Sequence, residues 1–181
     1  MNKNYKILIV EDNAEQQWVA VEMLKGHELT IAENVHDAAE LLAGGKYLQS
    51  RPDVDPDRVG IWGLSYGGLL TAQALARNSD VFKAGVDLAG VHLRGSAYDP
   101  DALAFKSSAI GAIDGWNSPV LLVHGDDDRN VAFEQTTGLV QLLRQRDVYY
   151  ELIVFPDDTH ESMLHSRWMY TLERMEAFLK K

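Results

Sequence analysis

Short apolar runs alternate with longer amphipathic segments along most of this 181-residue chain. Runs rich in Val, Ile and Leu favour buried strands, whereas apolar positions at helical spacing favour helices. We predict strands at Lys6–Val10, Glu28–Ala32, Arg58–Trp62, Val81–Leu88, Pro119–His124 and Tyr149–Phe155. We predict helices at Asn13–Lys25, Val35–Gln49, Leu69–Arg77, Val131–Arg146 and His165–Leu179. This alternation is typical of βα units and predicts an α/β protein with a mainly parallel sheet.

The third predicted strand leads into Gly63-Leu64-Ser65-Tyr66-Gly67, and a predicted helix follows. G-x-S-x-G between a strand and a helix is the context that a nucleophile elbow requires. Glycines at both ends would keep Cβ atoms away from a strained turn. We interpret Ser65 as a candidate nucleophile, with a plain turn serine as the alternative. The Tyr66 backbone N–H is then a candidate donor to an oxyanion.

Acidic residues and a histidine follow this elbow in the order that an α/β-hydrolase needs. Asp126-Asp127-Asp128 comes after the fifth predicted strand, and His160 comes after the sixth. Each group therefore lies just past the carboxyl end of a strand, at one edge of the sheet. We expect one of the aspartates to complete a triad with His160 and Ser65.

The remaining histidines have no partner in this pattern. His124 precedes a glycine at a strand end, and we expect it to be a packing residue. We expect surface or core positions for the others, which are His27, His36, His92 and His165. The long segment Gly90–Asn117 has no clear periodicity, and either a cap over the site or a poorly ordered connection would account for it.

Composition excludes several classes of protein. The formal net charge of −10 disfavours nucleic acid as a partner. The absence of cysteine excludes disulfides, thiol catalysis and thiolate metal sites. No run approaches the roughly 18 to 20 apolar residues of a membrane-spanning helix, and the start lacks the apolar core of a signal peptide. We therefore expect a soluble cytoplasmic domain, monomeric or homodimeric, with no cofactor and no membrane partner.

Several motifs between about Gly45 and Lys181 resemble the catalytic domain of the prolyl oligopeptidase family. They are Ser50–Gly63, Ser65-Tyr66-Gly67-Gly68, Ser118–Gly125, Asp128-Arg129-Asn130-Val131 and Phe155-Pro156-Asp157. The resemblance implies that Ser65 is the nucleophile, His160 the general base and Asp128 the acid that orients the imidazole. Asp128 is chosen because the acid of that family falls two residues before the asparagine that Asn130 matches.

The first 40 or so residues resemble the start of a response-regulator receiver domain instead, through the run Lys6–Asn13. These two resemblances imply an engineered chimera, joined within one domain from residues 1–44 and 45–181. A receiver has a flavodoxin-like sheet, so the join implies a three-layer αβα sandwich with a six-stranded sheet of order 2-1-3-4-5-6.

The receiver-like start also affects the expected chemistry. In the resembled family, the second oxyanion donor comes from a tyrosine ahead of the elbow, where this chain would present Glu11-Asp12-Asn13 to Ser65. Because of this incomplete oxyanion hole and the missing substrate-selecting propeller, we expect at best slow hydrolysis of small activated esters.

Two other functions fit parts of the sequence. A recombined or designed scaffold could carry the triad residues without activity. A receiver-like module could bind Mg²⁺ weakly through Glu11 and Asp12, since carboxylate oxygens suit that ion.

Overall fold

The structure, a computed structural model, describes residues 6–10, 28–32, 38–93, 99–161 and 164–181. The chain divides into two compact units, Met1–Val54 and Asp55–Lys181. Within the described ranges, no helix combines the length and the apolar character needed to cross a membrane.

The described residues of the first unit form two strands and one helix. Strands β1 (Lys6–Val10) and β2 (Glu28–Ala32) have the predicted bounds and pair in parallel, with Lys6 opposite Glu28. Helix α1 spans Ala38–Ser50, and its predicted start at Val35 lies outside the described residues. The predicted helix Asn13–Lys25 lies outside the described residues.

The second unit is built on four parallel strands, which are β3 (Gly60–Leu64), β4 (Ala84–Leu88), β5 (Val120–Gly125) and β6 (Tyr150–Phe155). They are hydrogen-bonded in the order β3-β4-β5-β6. The helices are α2 (Tyr66–Arg77), α3 (Leu103–Lys106), α4 (Glu134–Gln145) and α5 (His165–Leu179). Short 3₁₀ turns occur at Pro56–Arg58 and Ile110–Gly115.

The α/β class and the parallel pairing agree with the sequence, but the sheet itself needs correction. The described strands form a four-stranded sheet and a two-stranded sheet, rather than one sheet of six. The predicted order 3-4-5-6 is observed within the four-stranded sheet. Pairing between β1 and β3, which the full predicted order requires, does not occur among the described residues.

Helices cover both faces of the four-stranded sheet. One face packs against α5 through a cluster of buried residues, which are Val86, Leu88, Leu121, Val123, Met175 and Phe178. The opposite face approaches α2 so closely that a Cβ on Gly85 would lie 2.4 Å from Leu75 Cδ1. The carboxyl ends of β3, β4, β5 and β6 are thereby held at one edge, where loops can carry functional groups.

The segment predicted as irregular is packed on the fold where it is described. Phe105, Ile110, Ile113 and Trp116 are buried. Arg77, the last residue of α2, donates from Nη2 to the Lys106 carbonyl at 2.7 Å. Residues 99–117 therefore lie against the end of α2 that is remote from Ser65, and the predicted cap is wrong for this part.

Candidate active site

Ser65 occupies a strained turn between β3 and α2. Its φ is 58° and its ψ is −110°, a conformation that a residue with a side chain rarely adopts. Two backbone hydrogen bonds fix the turn, because the Ser65 N–H donates to Leu88 O at 2.8 Å and Ser65 O accepts from Leu69 N at 3.0 Å. The elbow is thus held between the end of β4 and the first turn of α2.

The two glycines of the elbow are not equivalent. A Cβ on Gly63 would lie 2.3 Å from the carbonyl carbon of Gly67, so no larger residue fits there without a shift. A Cβ on Gly67 would meet no other heavy atom within 4 Å. The expectation that both positions need glycine for space is therefore correct for Gly63 and wrong for Gly67.

Ser65, His160 and Asp128 form one hydrogen-bonded row, although they come from three different loops. His160 Nε2 lies 2.7 Å from Ser65 Oγ, and His160 Nδ1 lies 2.6 Å from Asp128 Oδ2. The carboxylate can only accept, so Nδ1 carries the proton and Nε2 is free to accept from the serine hydroxyl. The side chain of His160 is 10% exposed and that of Asp128 is fully buried.

The carboxylate of Asp128 is surrounded by donors. Oδ1 accepts from the backbone N–H groups of Asn130 at 2.8 Å and Val131 at 2.9 Å. Burial by itself raises the pKa of Asp128, but the hydrogen bonds from His160, Val131, Asn130 and His124 outweigh it and hold the pKa below its usual value. The acid is therefore kept ionised beside the imidazole.

The two neighbouring aspartates are exposed and serve the loops. Asp126 Oδ1 accepts from the backbone N–H of Asp157 at 2.7 Å. Asp127 pairs with Arg129 at 3.4 Å. Neither is hydrogen-bonded to His160 in the described structure.

His124 is more than the packing residue that the sequence suggested. Its fully buried ring places Nε2 2.9 Å from Asp128 Oδ2 and 3.0 Å from Val131 O, with Nδ1 2.7 Å from Thr136 Oγ1. Asp128 Oδ2 is thus shared by two histidines. The four-residue spacing between His124 and Asp128 could have suggested this contact. In a loop, however, that spacing does not by itself bring two side chains together.

His92 likewise has a specific partner rather than a filling role. It is fully buried, with Nε2 2.7 Å from Asp87 Oδ2 and Nδ1 2.9 Å from Gln135 O. The Gln135 side chain in turn accepts from the backbone N–H groups of His92 and Leu93. This network connects the loop after β4 to the first turn of α4. His165 is exposed at the start of α5, and His27 and His36 lie outside the described residues.

A cavity of about 460 Å³ opens beside the elbow. Its lining is formed mainly by aliphatic side chains and carries no charged residue; it consists of Tyr66, Leu69, Val91, Leu93, Asn130, Val131, Ala132 and Gln135. Tyr66 directly follows Ser65, so the cavity adjoins the candidate nucleophile. Tyr66, Asn130 and Gln135 also give this lining polar groups, so it offers both apolar contacts and hydrogen-bond partners.

The Tyr66 backbone N–H belongs to the first turn of α2, where N–H groups have no partner within the helix. Such a group beside Ser65 is suitably placed to meet negative charge. Glu11 and Asp12, the weak metal candidates, lie outside the described residues together with Asn13. Their expected position opposite Ser65, and any Mg²⁺ binding, therefore stay predictions.

The prolyl oligopeptidase family model matches residues 27–111 and 94–181, which together cover most of the chain. This chain belongs to the prolyl oligopeptidase family. Its matched region begins before β2 and includes β2 and the first part of α1, which the sequence had assigned to the receiver-like segment of residues 1–44. The comparisons give no support to a receiver segment or to an engineered join.

Similar proteins of known sequence are much longer. The chain is 31% identical over 170 residues to "Probable dipeptidyl-aminopeptidase B" of Fusarium vanettenii, covering 84% of this chain and 19% of that protein. It is 32% identical over 126 residues to "Venom dipeptidyl peptidase 4" of Vespula vulgaris, covering 60% of this chain and 16% of that protein. The chain thus spans about a fifth of the length of these relatives.

Solved structures show the same fold at lower identity. Dipeptidyl peptidase 4 of Porphyromonas gingivalis superposes with a TM-score of 0.78 at 23% identity, covering 98% of this chain and 31% of that one. Acylaminoacyl peptidase of Pyrococcus horikoshii superposes with a TM-score of 0.71 at 19% identity, covering 98% and 36%. These likenesses establish an α/β-hydrolase fold for the chain.

Proposed function

We propose that this chain is a serine hydrolase that cleaves acyl bonds through a covalent acyl-enzyme. The observation that carries the proposal is the continuous row from Ser65 Oγ through His160 to Asp128 Oδ2, with separations of 2.7 and 2.6 Å. Nucleophile, base and orienting acid in hydrogen-bond contact is the arrangement that activates a serine hydroxyl.

The geometry supports a two-stage reaction. Ser65 Oγ attacks the substrate carbonyl while its proton passes to His160 Nε2, and the imidazolium is stabilised by Asp128. His160 then gives that proton to the leaving group as the bond between the leaving group and the carbonyl carbon breaks, and the acyl group stays bonded to Ser65 Oγ. In the second stage water loses a proton to His160 and attacks the acyl-enzyme, which releases the acid and restores the Ser65 hydroxyl.

Charge on the carbonyl oxygen would be met by the Tyr66 backbone N–H at the start of α2. Loss of one of two oxyanion donors typically costs about 10²- to 10³-fold in rate. The Tyr66 N–H would therefore supply a substantial part of the proposed rate acceleration.

The cavity beside Ser65 supports a substrate class. Its uncharged lining, which combines aliphatic side chains with the polar groups of Tyr66, Asn130 and Gln135, suits a small uncharged side chain next to the scissile bond. Relatives carry the names dipeptidyl-aminopeptidase and dipeptidyl peptidase, so we propose peptide-like acyl substrates of this kind. Small activated esters, which need little positioning, are the substrates on which we expect activity first.

The test is a time course with a p-nitrophenyl ester of a short acid, run beside labelling with a fluorophosphonate. We expect turnover and stoichiometric labelling in the unchanged chain, and loss of both in Ser65→Ala. Ser107→Ala is a matched control, because this serine lies near the end of α2 remote from Ser65, and its hydroxyl donates to Ala104 O within the described structure. A cooperatively folded sample that neither labels nor turns over would contradict the proposal and favour a scaffold without activity.

A further inference from the structure

The hydrogen-bonded row does not end at Asp128. Beyond it lie the His124 ring and the hydroxyl of Thr136 in the first turn of α4, at separations of 2.9 and 2.7 Å. The side chains of His124 and Asp128 are fully buried, and Thr136 is 2% exposed. The row therefore runs from the surface at Ser65 into the interior of the second unit.

The contacts of His124 determine where its proton lies. Nε2 faces the Val131 carbonyl and the Asp128 carboxylate, and both oxygens only accept. Nε2 must therefore carry a hydrogen, while Nδ1 faces a hydroxyl that can either donate or accept. A histidine that only filled the core would need no donor aimed at the acid.

Asp128 is thereby held from three directions. Its Oδ1 is fixed by two backbone N–H groups, and its Oδ2 is fixed by His160 on one side and His124 on the other. We propose that His124 is a positioning residue of the hydrolytic reaction, whose Nε2–H holds Asp128 Oδ2 in place for His160 and shares its negative charge. This inference rests on the proposed function of the same site.

Other charged groups near the two histidines are already paired. His124 and His160 both line a small cavity of about 40 Å³ together with Asp158 and Arg167. Arg167 Nη1 lies 2.7 Å from Asp158 Oδ2, so these two charges offset one another. Within the described part of the chain, the titratable group in hydrogen-bond contact with both histidines is Asp128.

The sharpest variants are two amides that differ in reach. The amide nitrogen of Gln extends about as far as His Nε2, whereas that of Asn extends only about as far as His Nδ1. His124→Gln can keep the donor to Asp128, and His124→Asn cannot. Both bury the same polar group, so a loss that came merely from removing the ring would be equal in the two variants.

The readout is the acid limb of the pH dependence of fluorophosphonate labelling. Without the second donor, Asp128 attracts the protonated imidazole more strongly, so His124→Asn moves the limb upward by about one pH unit. His124→Gln leaves it near its original position. His92→Asn removes a histidine from the other buried pair and is the matched control, for which we expect no movement. Equal movement in both His124 variants, no movement in either, or the same movement in the control would overturn the inference.

A second measurement needs neither variants nor activity. The ¹⁵N shifts of the histidine rings in the unchanged chain report which nitrogens carry protons. We expect Nε2 of His124 to carry a proton, and an unprotonated Nε2 would overturn the inference. If the chain fails to label with fluorophosphonate, the proposed function fails, but this ring measurement still decides the role of His124 toward Asp128.

Discussion

Two buried histidine–aspartate pairs lie at the same edge of the four-stranded sheet, and they differ in what their aspartates touch. In one pair His92 Nε2 contacts Asp87 Oδ2 at 2.7 Å, and in the other His124 Nε2 contacts Asp128 Oδ2 at 2.9 Å. All four side chains are at most 1% exposed. Burial and pairing alone therefore do not distinguish a structural pair from one that belongs to a reactive site.

The difference lies in the remaining hydrogen bonds. Asp87 uses its other oxygen for the Gly90 N–H, and His92 uses its other nitrogen for Gln135 O, so this pair is closed within the protein. Asp128 shares Oδ2 with His160, which is partly exposed and reaches Ser65. The first pair fixes a loop, whereas the second continues to the surface, where a substrate can be reached.

The largest expected effect comes from changing each aspartate to asparagine. Asp128→Asn keeps the shape but presents an amide to His160, and a comparable change in a serine protease triad lowers kcat by about 10⁴-fold. We expect a fall of that order in the fluorophosphonate labelling rate. Asp87→Asn should instead lower the free energy of unfolding and have a much smaller effect on the labelling rate of the folded fraction. Equal losses of rate in the two variants would contradict the distinction between the pairs.

The sequence located Ser65 better than it located the partners of His92 and His124, for a physical reason. A local motif identifies Ser65, and the apolar runs predict the first and last residues of β1 and β2 correctly. The roles of His92 and His124 depend on which groups the folded loops bring together, and sequence spacing alone does not specify that. Local hydrogen bonds also moved boundaries, since Asp128 Oδ1 binds the Val131 N–H and delays the start of α4 to Glu134.

The start of β4 also depends on hydrogen bonds that the sequence pattern does not reveal. Val81 and Phe82 continue the apolar run, but their N–H groups donate to Asn78 O and close a turn after α2. The strand therefore begins at Ala84. An apolar run indicates burial, whereas the choice between strand and buried turn depends on neighbouring carbonyls.

A smaller effect, on the free energy of unfolding, is expected at the adjacent glycines Gly67 and Gly68 near the His92–Asp87 pair. A Cβ on Gly68 would lie 2.6 Å from Asp87 Oδ1 and 2.7 Å from Gly90 Cα, so Gly68→Ala should lower the free energy of unfolding by about 1–3 kcal/mol. Gly67→Ala, in the same helical turn but with open space, should raise it by about 0.5–1 kcal/mol. Urea denaturation measures both. A stable Gly68→Ala variant would show that the loop after β4 is not held tightly against α2.

The smallest effect is a pH dependence that belongs to the closed pair. Burial lowers the pKa of His92, but its ion pair and hydrogen bond with Asp87 outweigh burial and raise the pKa above the usual value of about 6.5. Between that value and the higher folded pKa the folded chain holds one more proton than the unfolded chain. The stabilisation is therefore complete below about pH 6.5 and is lost as the pH rises through the folded pKa, by at most about 1.4 kcal/mol per pH unit. Urea denaturation at stepped pH should show this decline in the unchanged chain, and His92→Phe should remove it. If the decline persists in His92→Phe, another group is responsible for it, and the expected titration of His92 beside Asp87 is contradicted.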